Sequence, residues 1–179
     1  MPVEVTGKRV PGLHGSEPMH IRPATEADLP AIVDIFNESI RDSLAVWIET
    51  PATIEERRTW FAGRRKLGCP VLVADDGGVL GFGSFGPFRP YEGFRKTVEH
   101  SVYVAADARG RGAGKALLAA LIAEARQSGK RIIVGAVDSQ NAVSLALHHA
   151  MGFVETGRMP HVGEKRGQVL DMVLLQKEL

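Results

Sequence analysis

The stretch Thr97 to Gln127, TVEHSVYVAADARGRGAGKALLAALIAEARQ, constrains this chain more than any other. Val98 to Val104 alternates, with Val98, His100, Val102 and Val104 on one face and Glu99, Ser101 and Tyr103 on the other, which predicts a strand. The turn Arg109-Gly110-Arg111-Gly112-Ala113-Gly114 follows. From about Ala113 a helix is predicted, with Ala116, Leu117, Ala120, Leu121 and Ala125 on or near one stripe. A glycine-rich turn opening a helix offers free backbone N–H groups at the positive end of the helix dipole, and so suits an anion such as phosphate. Two nucleotide loops fail here. G-x-x-x-x-G-K-[ST], aligned on Gly114-Lys115, would need Gly at Arg109 and Ser or Thr at Ala116. G-x-G-x-x-G, started at Gly110, ends on Lys115.

The pattern that fits is [Q/R]-x-x-G-x-[G/A], filled by Arg109, Gly112 and Gly114 after a strand. In this the chain resembles the GNAT superfamily of N-acetyltransferases, an α/β fold with a mixed sheet flanked by helices. The resemblance implies acetyl-CoA as co-substrate. Its pyrophosphate would lie on Gly110, Arg111, Gly112, Ala113, Gly114 and Lys115, with Arg109, Arg111 and Lys115 adding charge. Its pantetheine arm would pair, as an added β-strand does, with the backbone of Val102-Tyr103-Val104. No metal is expected.

The remaining order supports this. Met1 to Pro18 has Pro and Gly without periodicity and is expected to be a flexible extension, with one domain over residues 19–179. His20 to Ala24 reads as a short strand. Thr25 to Asp28 and Thr53 to Glu56 read as capping boxes opening helices to about Ile40 and Lys66. Pro70 to Ala74 and Val79 to Phe85 form a hairpin around Asp75-Asp76-Gly77-Gly78. After the central stretch come a strand over Arg131 to Val137, a helix over about Ala142 to Met151, a strand ending at Gly157, and a last strand over Gln168 to Lys177. The order β-α-α-β-β-β-α-β-α-β-β is that of the GNAT fold.

Composition excludes several classes. A net charge of +1 gives no field for nucleic acid or an anionic membrane. No apolar run approaches the roughly 20 residues that span a bilayer, and the N-terminus lacks the apolar core of a secretory signal. The single Cys69 cannot form an internal disulfide, is expected to be buried, and fits a reducing cytoplasm.

Acetyl transfer to an amine needs a base for the ammonium and a proton for the leaving thiolate. Glu99, an acid within a valine-rich strand, is the expected base, because burial lifts a carboxyl pKa towards neutrality. His100 points away from it and is expected to be structural. Asn141 opens a helix and, by resemblance, bonds the pantetheine arm or a nearby water. The family's Tyr, four residues before a Gly-Phe pair, is replaced by His148, expected to take over as acid.

The run Arg89 to Val104, with Trp47 and Trp60-Phe61, resembles the phosphinothricin and methionine sulfoximine acetyltransferase branch. That implies a homodimer and a small amino-acid analogue as substrate, held by Arg89, Pro90, Tyr91, Arg95, Thr97, Val98 and Glu99 with Trp47 as a wall. Two other readings stand beside it: a GNAT enzyme for a protein N-terminus or a polyamine, and an acyl-CoA-binding module without catalysis.

Overall fold

The computed structural model describes residues 18–179. The expected extension therefore lies outside the described residues, Pro18 excepted. One seven-stranded sheet, in the order β1-β2-β3-β4-β5-β7-β6, runs through the fold. Its strands are β1 (His20–Pro23), β2 (Val71–Asp75), β3 (Val79–Pro87), β4 (Thr97–Val104), β5 (Ile132–Asp138), β6 (Val154–Lys165) and β7 (Gln168–Glu178). The helices are α1 (Leu29–Asp42), α2 (Ile54–Lys66), α3 (Ala113–Gln127) and α4 (Ala142–Ala150).

Local chemistry sets the helix starts. Ahead of α1, the Asp28 carboxylate accepts from the Thr25 N–H at 2.7 Å, and the turn Glu26–Asp28 is 3-10 before the helix proper. At α2 the box is reciprocal: Glu56 N–H donates to Thr53 Oγ1 at 3.2 Å, and Thr53 N–H to Glu56 Oε2 at 2.7 Å. The sheet is covered on both sides. Leu117, Leu118, Leu121, Ile122 and Ala125 of α3 close one core over Leu72, Phe85, Val98 and Ile133. Leu29, Ile32, Phe36 and Phe61 of α1 and α2 close the other over Val71, Val73 and Phe82.

Two expectations need correction. Cys69 is only half-buried. The strand after Phe153 does not end at Gly157. It continues to Lys165 through irregularities at Glu155/Gly157 and Met159/Gly163 that keep it paired with β7. The extension has a structural purpose. Lys165, fully buried, donates to the carbonyls of Ile40, Ser43 and Val46 at 2.7, 2.8 and 2.6 Å. It thus ties the end of α1, where backbone carbonyls lack partners, and the loop beyond it to the β6–β7 hairpin.

The feature that positions the site is a broken pairing. β3 and β4 pair from Gly81↔Val104 to Pro87↔Val98. The parallel pairing of β4 with β5 covers only Thr97, Val98 and Glu99. Beyond Glu99 the two strands separate.

Candidate active site

The ladder with β3 determines what the separated edge presents. Phe88 N–H donates to Thr97 O at 3.3 Å and Ala105 N–H to Leu80 O at 2.9 Å, so odd-numbered residues of β4 direct their backbone groups to β3. The N–H and C=O groups of His100, Val102 and Val104 therefore face the gap, where β5 no longer reaches them. Tyr103, expected to meet the co-substrate through its backbone, has that backbone turned to Phe82 instead.

The gap opens a cleft of about 660 Å³. Its walls are His100 to Val104 of β4, Ala108, Arg109, Gly110, Gly112, Ala113 and Gly114 of the turn, Gly135 to Asp138 of β5, and Asn141, Ser144, Leu147 and His148 at α4. Ser39 of α1, with Ser43, Leu44 and Ala45 of the loop that Lys165 anchors, closes a further side. Those four were missed in the sequence, since nothing local marks the end of α1 as facing β4. A second hollow, of about 600 Å³, lies by α1 among Asp34, Glu38, Arg41, Glu49 and Arg166. It lacks the open strand edge and the helix start that the cleft combines.

The phosphate-suited end is formed by Gly112, left-handed at φ 88° as the N-cap of α3, and by Gly110 at φ 76°. The first intrahelical bond there is Ala116 N–H to Gly112 O at 3.0 Å, so the N–H groups of Ala113, Gly114 and Lys115 precede the ladder. Arg109, Gly110, Gly112, Ala113 and Gly114 line the cleft. Arg111 does not. Its guanidinium pairs with Asp76 of the β2–β3 turn. Asn141 accepts from Ser144 N–H at 3.1 Å as the N-cap of α4, which leaves its amide nitrogen for the cleft.

On one face of β4 sits a histidine pair. His148 Nδ1 is 2.7 Å from the Ser144 carbonyl, and the Nε2 atoms of His148 and His100 are 3.1 Å apart. A carbonyl only accepts, so the partners assign the proton of neutral His148 to Nδ1. Its Nε2 then accepts from the Nε2–H of His100, and His100 Nδ1 remains a buried lone pair without a partner. Burial pushes His100 down to about 3 and lowers His148 as well. Gly135 makes room for the pair: a Cβ there would lie 2.7 Å from His148 Nε2 and 3.0 Å from His100 Nε2.

Glu99 lies on the other face, half-buried, with Ser101 and Tyr103. Burial raises its pKa, while Arg89 and Arg64 pull the other way. No ion pair within 4.0 Å holds it among the described residues.

The predicted amine-side residues are partly assembled. Thr97 is half-buried beside Glu99. Val98 is 2% exposed, so only its backbone can meet a ligand. Arg89 and Pro90 are exposed; Arg89 lies over the Phe88 ring at 4.4 Å, and Arg95 donates to Glu92 O at 3.2 Å within its own loop. Tyr91 is 71% exposed. Trp47 is packed on Gly163 of β6, where a Cβ would be 2.3 Å from its ring, and forms no part of the cleft wall.

The residues fit the thiol ester that the sequence implied: an open strand edge for an extended amide-bearing arm, and a glycine-opened helix start for its phosphates. The model of the Acetyltransferase (GNAT) family matches residues 30–153. The chain belongs to the GNAT family of acetyltransferases. This acetyltransferase is 49% identical over 161 residues to the L-methionine sulfoximine/L-methionine sulfone acetyltransferase of Pseudomonas aeruginosa, covering 89% of this chain and 94% of the relative. It superposes on an acetyltransferase from Salmonella typhimurium with its cofactor acetyl-CoA at a TM-score of 0.88 and 45% identity, over 90% and 94% of the two chains. A ribosomal-protein-alanine N-acetyltransferase from Brucella melitensis matches at a TM-score of 0.88 and 48% identity, over 89% of this chain and 99% of that one.

Proposed function

We infer that the amine acetylated by this N-acetyltransferase is the α-amino group of a small amino-acid analogue: methionine sulfoximine, methionine sulfone or phosphinothricin. Acetyl-CoA supplies the activated acyl group. The observation that carries the reading is Glu99, a half-buried carboxylate with a raised pKa, free of any ion pair, on the strand whose far edge is open. It takes the proton of the substrate ammonium. Thr97, Arg89, Pro90, Tyr91 and Arg95 with the Val98 backbone bind the analogue, and Trp47 fixes the adjoining loop. Val102 and Val104 pair with the pantetheine arm. Tyr103 lines it by side chain, and Gly110 to Lys115 hold the phosphates.

In this reading His148 protonates the departing thiolate. Neutral His148 has no N–H to give, because Nδ1–H is bound to Ser144 and Nε2 is an acceptor. It acts once the His100–His148 pair has gained a proton, which can enter only at the free Nδ1 of His100. The proton already held between the two Nε2 atoms then passes to His148 Nε2, which gives it to the thiolate and returns the pair to neutrality. The reading also has the enzyme as a cytoplasmic homodimer without nucleic-acid or membrane partners. Exposed Tyr91 and Phe94 favour a second copy over that loop, and the free thiol of Cys69 suits a reducing compartment.

A second reading, acetylation of a protein N-terminus, is favoured by the likeness to the Brucella protein. Thiol release from acetyl-CoA, assayed across methionine sulfoximine, methionine sulfone, phosphinothricin, spermidine and an alanine-starting peptide, separates them. Turnover of the first three is expected. Turnover of the peptide alone would overturn the amino-acid reading.

A further inference from the structure

The face of β4 that carries Glu99 looks onto α2, and α2 turns Arg57, Trp60 and Arg64 towards it at helical spacing. The Arg57 guanidinium lies 3.5 Å from the centroid of Phe36 and 5.3 Å from that of Trp60; Arg64 lies 5.9 Å from Trp60. The Nε atoms of both arginines are buried without a hydrogen-bond partner. Neither guanidinium enters an ion pair among the described residues.

Arg64 is also placed with care. Gly86 of β3 stands directly opposite Glu99. A Cβ on Gly86 would lie 1.4 Å from Arg64 Nη1, so the guanidinium occupies the space of the missing side chain. Residues opposite each other in an antiparallel pair have Cβ atoms about 5 Å apart. A cation thus sits in the cross-strand position facing the expected base, yet makes no ion pair with it. The Nε atom of each arginine is sealed from water without a partner, a cost that an anion arriving from outside would offset.

We propose that Arg64, with Arg57 behind it on the same helix face, binds the α-carboxylate of the amine substrate while Glu99 takes its ammonium. The proposal rests on the amino-acid reading above and adds the element that selects it. An α-amino acid carries its two charges two bonds apart, matching a carboxylate and a guanidinium fork on facing residues. A peptide N-terminus offers a neutral amide where the carboxylate would be, and a polyamine offers another cation. Both leave Arg64 unpaired.

The test compares kcat/KM for methionine sulfone with that for its neutral carboxamide, in the wild type and in Arg64→Gln, Arg57→Gln and Gly86→Ala. Gly86→Ala keeps every charge but displaces the Arg64 guanidinium, so it carries the reading if Arg64→Gln fails to fold. The wild type is expected to favour the acid by about a hundredfold, and Arg64→Gln to cut that preference at least tenfold, mainly through KM of the amine. Gly86→Ala should cut it in the same direction, Arg57→Gln less, with KM for acetyl-CoA unchanged in all three. An unchanged acid-to-amide ratio in Arg64→Gln and Gly86→Ala overturns the assignment while leaving the amino-acid reading intact. A wild type that turns over neither compound but acetylates the peptide overturns both.

Discussion

The two faces of β4 solve opposite problems with adjacent residues. On the α3 and α4 side, Val98 and His100 are buried, and the polar atoms there are almost fully spent on one another: Ser144 to His148, His148 to His100. On the α1 and α2 side, Glu99, Arg57 and Arg64 are charged, half-buried and unpaired. One face is neutral and leaves only His100 Nδ1 of the pair without a partner. The other holds charges that only a ligand can match. Because side chains alternate along a strand, a single residue step separates a closed polar network from an open one.

Removing Glu99 tests the open face most severely. Glu99→Gln keeps shape and hydrogen bonding but cannot accept the ammonium proton. Its kcat/KM should fall by roughly 10²–10⁴-fold, the usual range for a general base. Since burial places the Glu99 pKa above the ordinary 4.5, wild-type activity should fall as pH drops through that raised value, where the carboxyl becomes protonated. The variant should lack this limb. A pH–rate profile checks both, and an identical limb in Glu99→Gln would assign it to another group.

The closed face breaks differently. Gly135→Ala puts a methyl into the His100–His148 contact, which has no room for it. The expected cost is about 1–3 kcal/mol in thermal unfolding, as for other overpacked interiors. The kcat should fall while KM for the amine holds, because the amine side lies across the strand. If stability and kcat are both unmoved, the pair is not the rigid unit its distances describe.

A smaller effect separates the faces by pH alone. His100 is neutral in the fold, its pKa pushed to about 3 from an ordinary 6.5, so between those values the unfolded chain binds the extra proton. Stability is fully present above pH 6.5 and is lost as pH falls towards 3, at up to about 1.4 kcal/mol per unit. His148, shifted the same way, adds to this. Glu99 has the reverse sign: its raised pKa contributes stability at low pH that disappears as pH rises through that value. Urea midpoints of wild type and His100→Gln across pH 4–7 should converge as pH falls. Parallel curves would mean that His100 is solvated.

Much of the frame was legible in the sequence, and the reasons are local. The Thr53–Glu56 box and the Asn141 cap each satisfy backbone groups within a few residues of themselves, and glycines 110 and 112 supply the left-handed φ that their own turn needs. The element order also followed from periodicity. What escaped depends on distant partners. The separation of β4 from β5 is set by where pairing stops, and no residue announces it. Nothing in the sequence around Lys165 marks it as the buried tie to Ile40, Ser43 and Val46. Arg57 and Arg64 lie in a helix so rich in charge that its inward arginines looked like its outward ones. His100 and His148, 48 residues apart, were assigned separate roles because only the fold makes them a pair.

The smallest predicted effect lies where β4 gives way to the glycine turn, and the contrast between spent and free charge recurs there. Arg111 is already paired with Asp76, while Arg109 and Lys115 have no ion pair among the described residues. An exposed pair is worth only about 0–1 kcal/mol, and a phosphate dianion competes well for the guanidinium. Lys115→Ala should therefore raise KM for acetyl-CoA several-fold, and Arg111→Ala by about twofold or less. Asp76→Asn should lower KM slightly by releasing Arg111 to the phosphates, and that gain should vanish when Arg111→Ala is added. If Asp76→Asn instead raises KM, the ion pair holds the turn in its binding shape, and Arg111 contributes by fixing Gly110 and Gly112 rather than by charge.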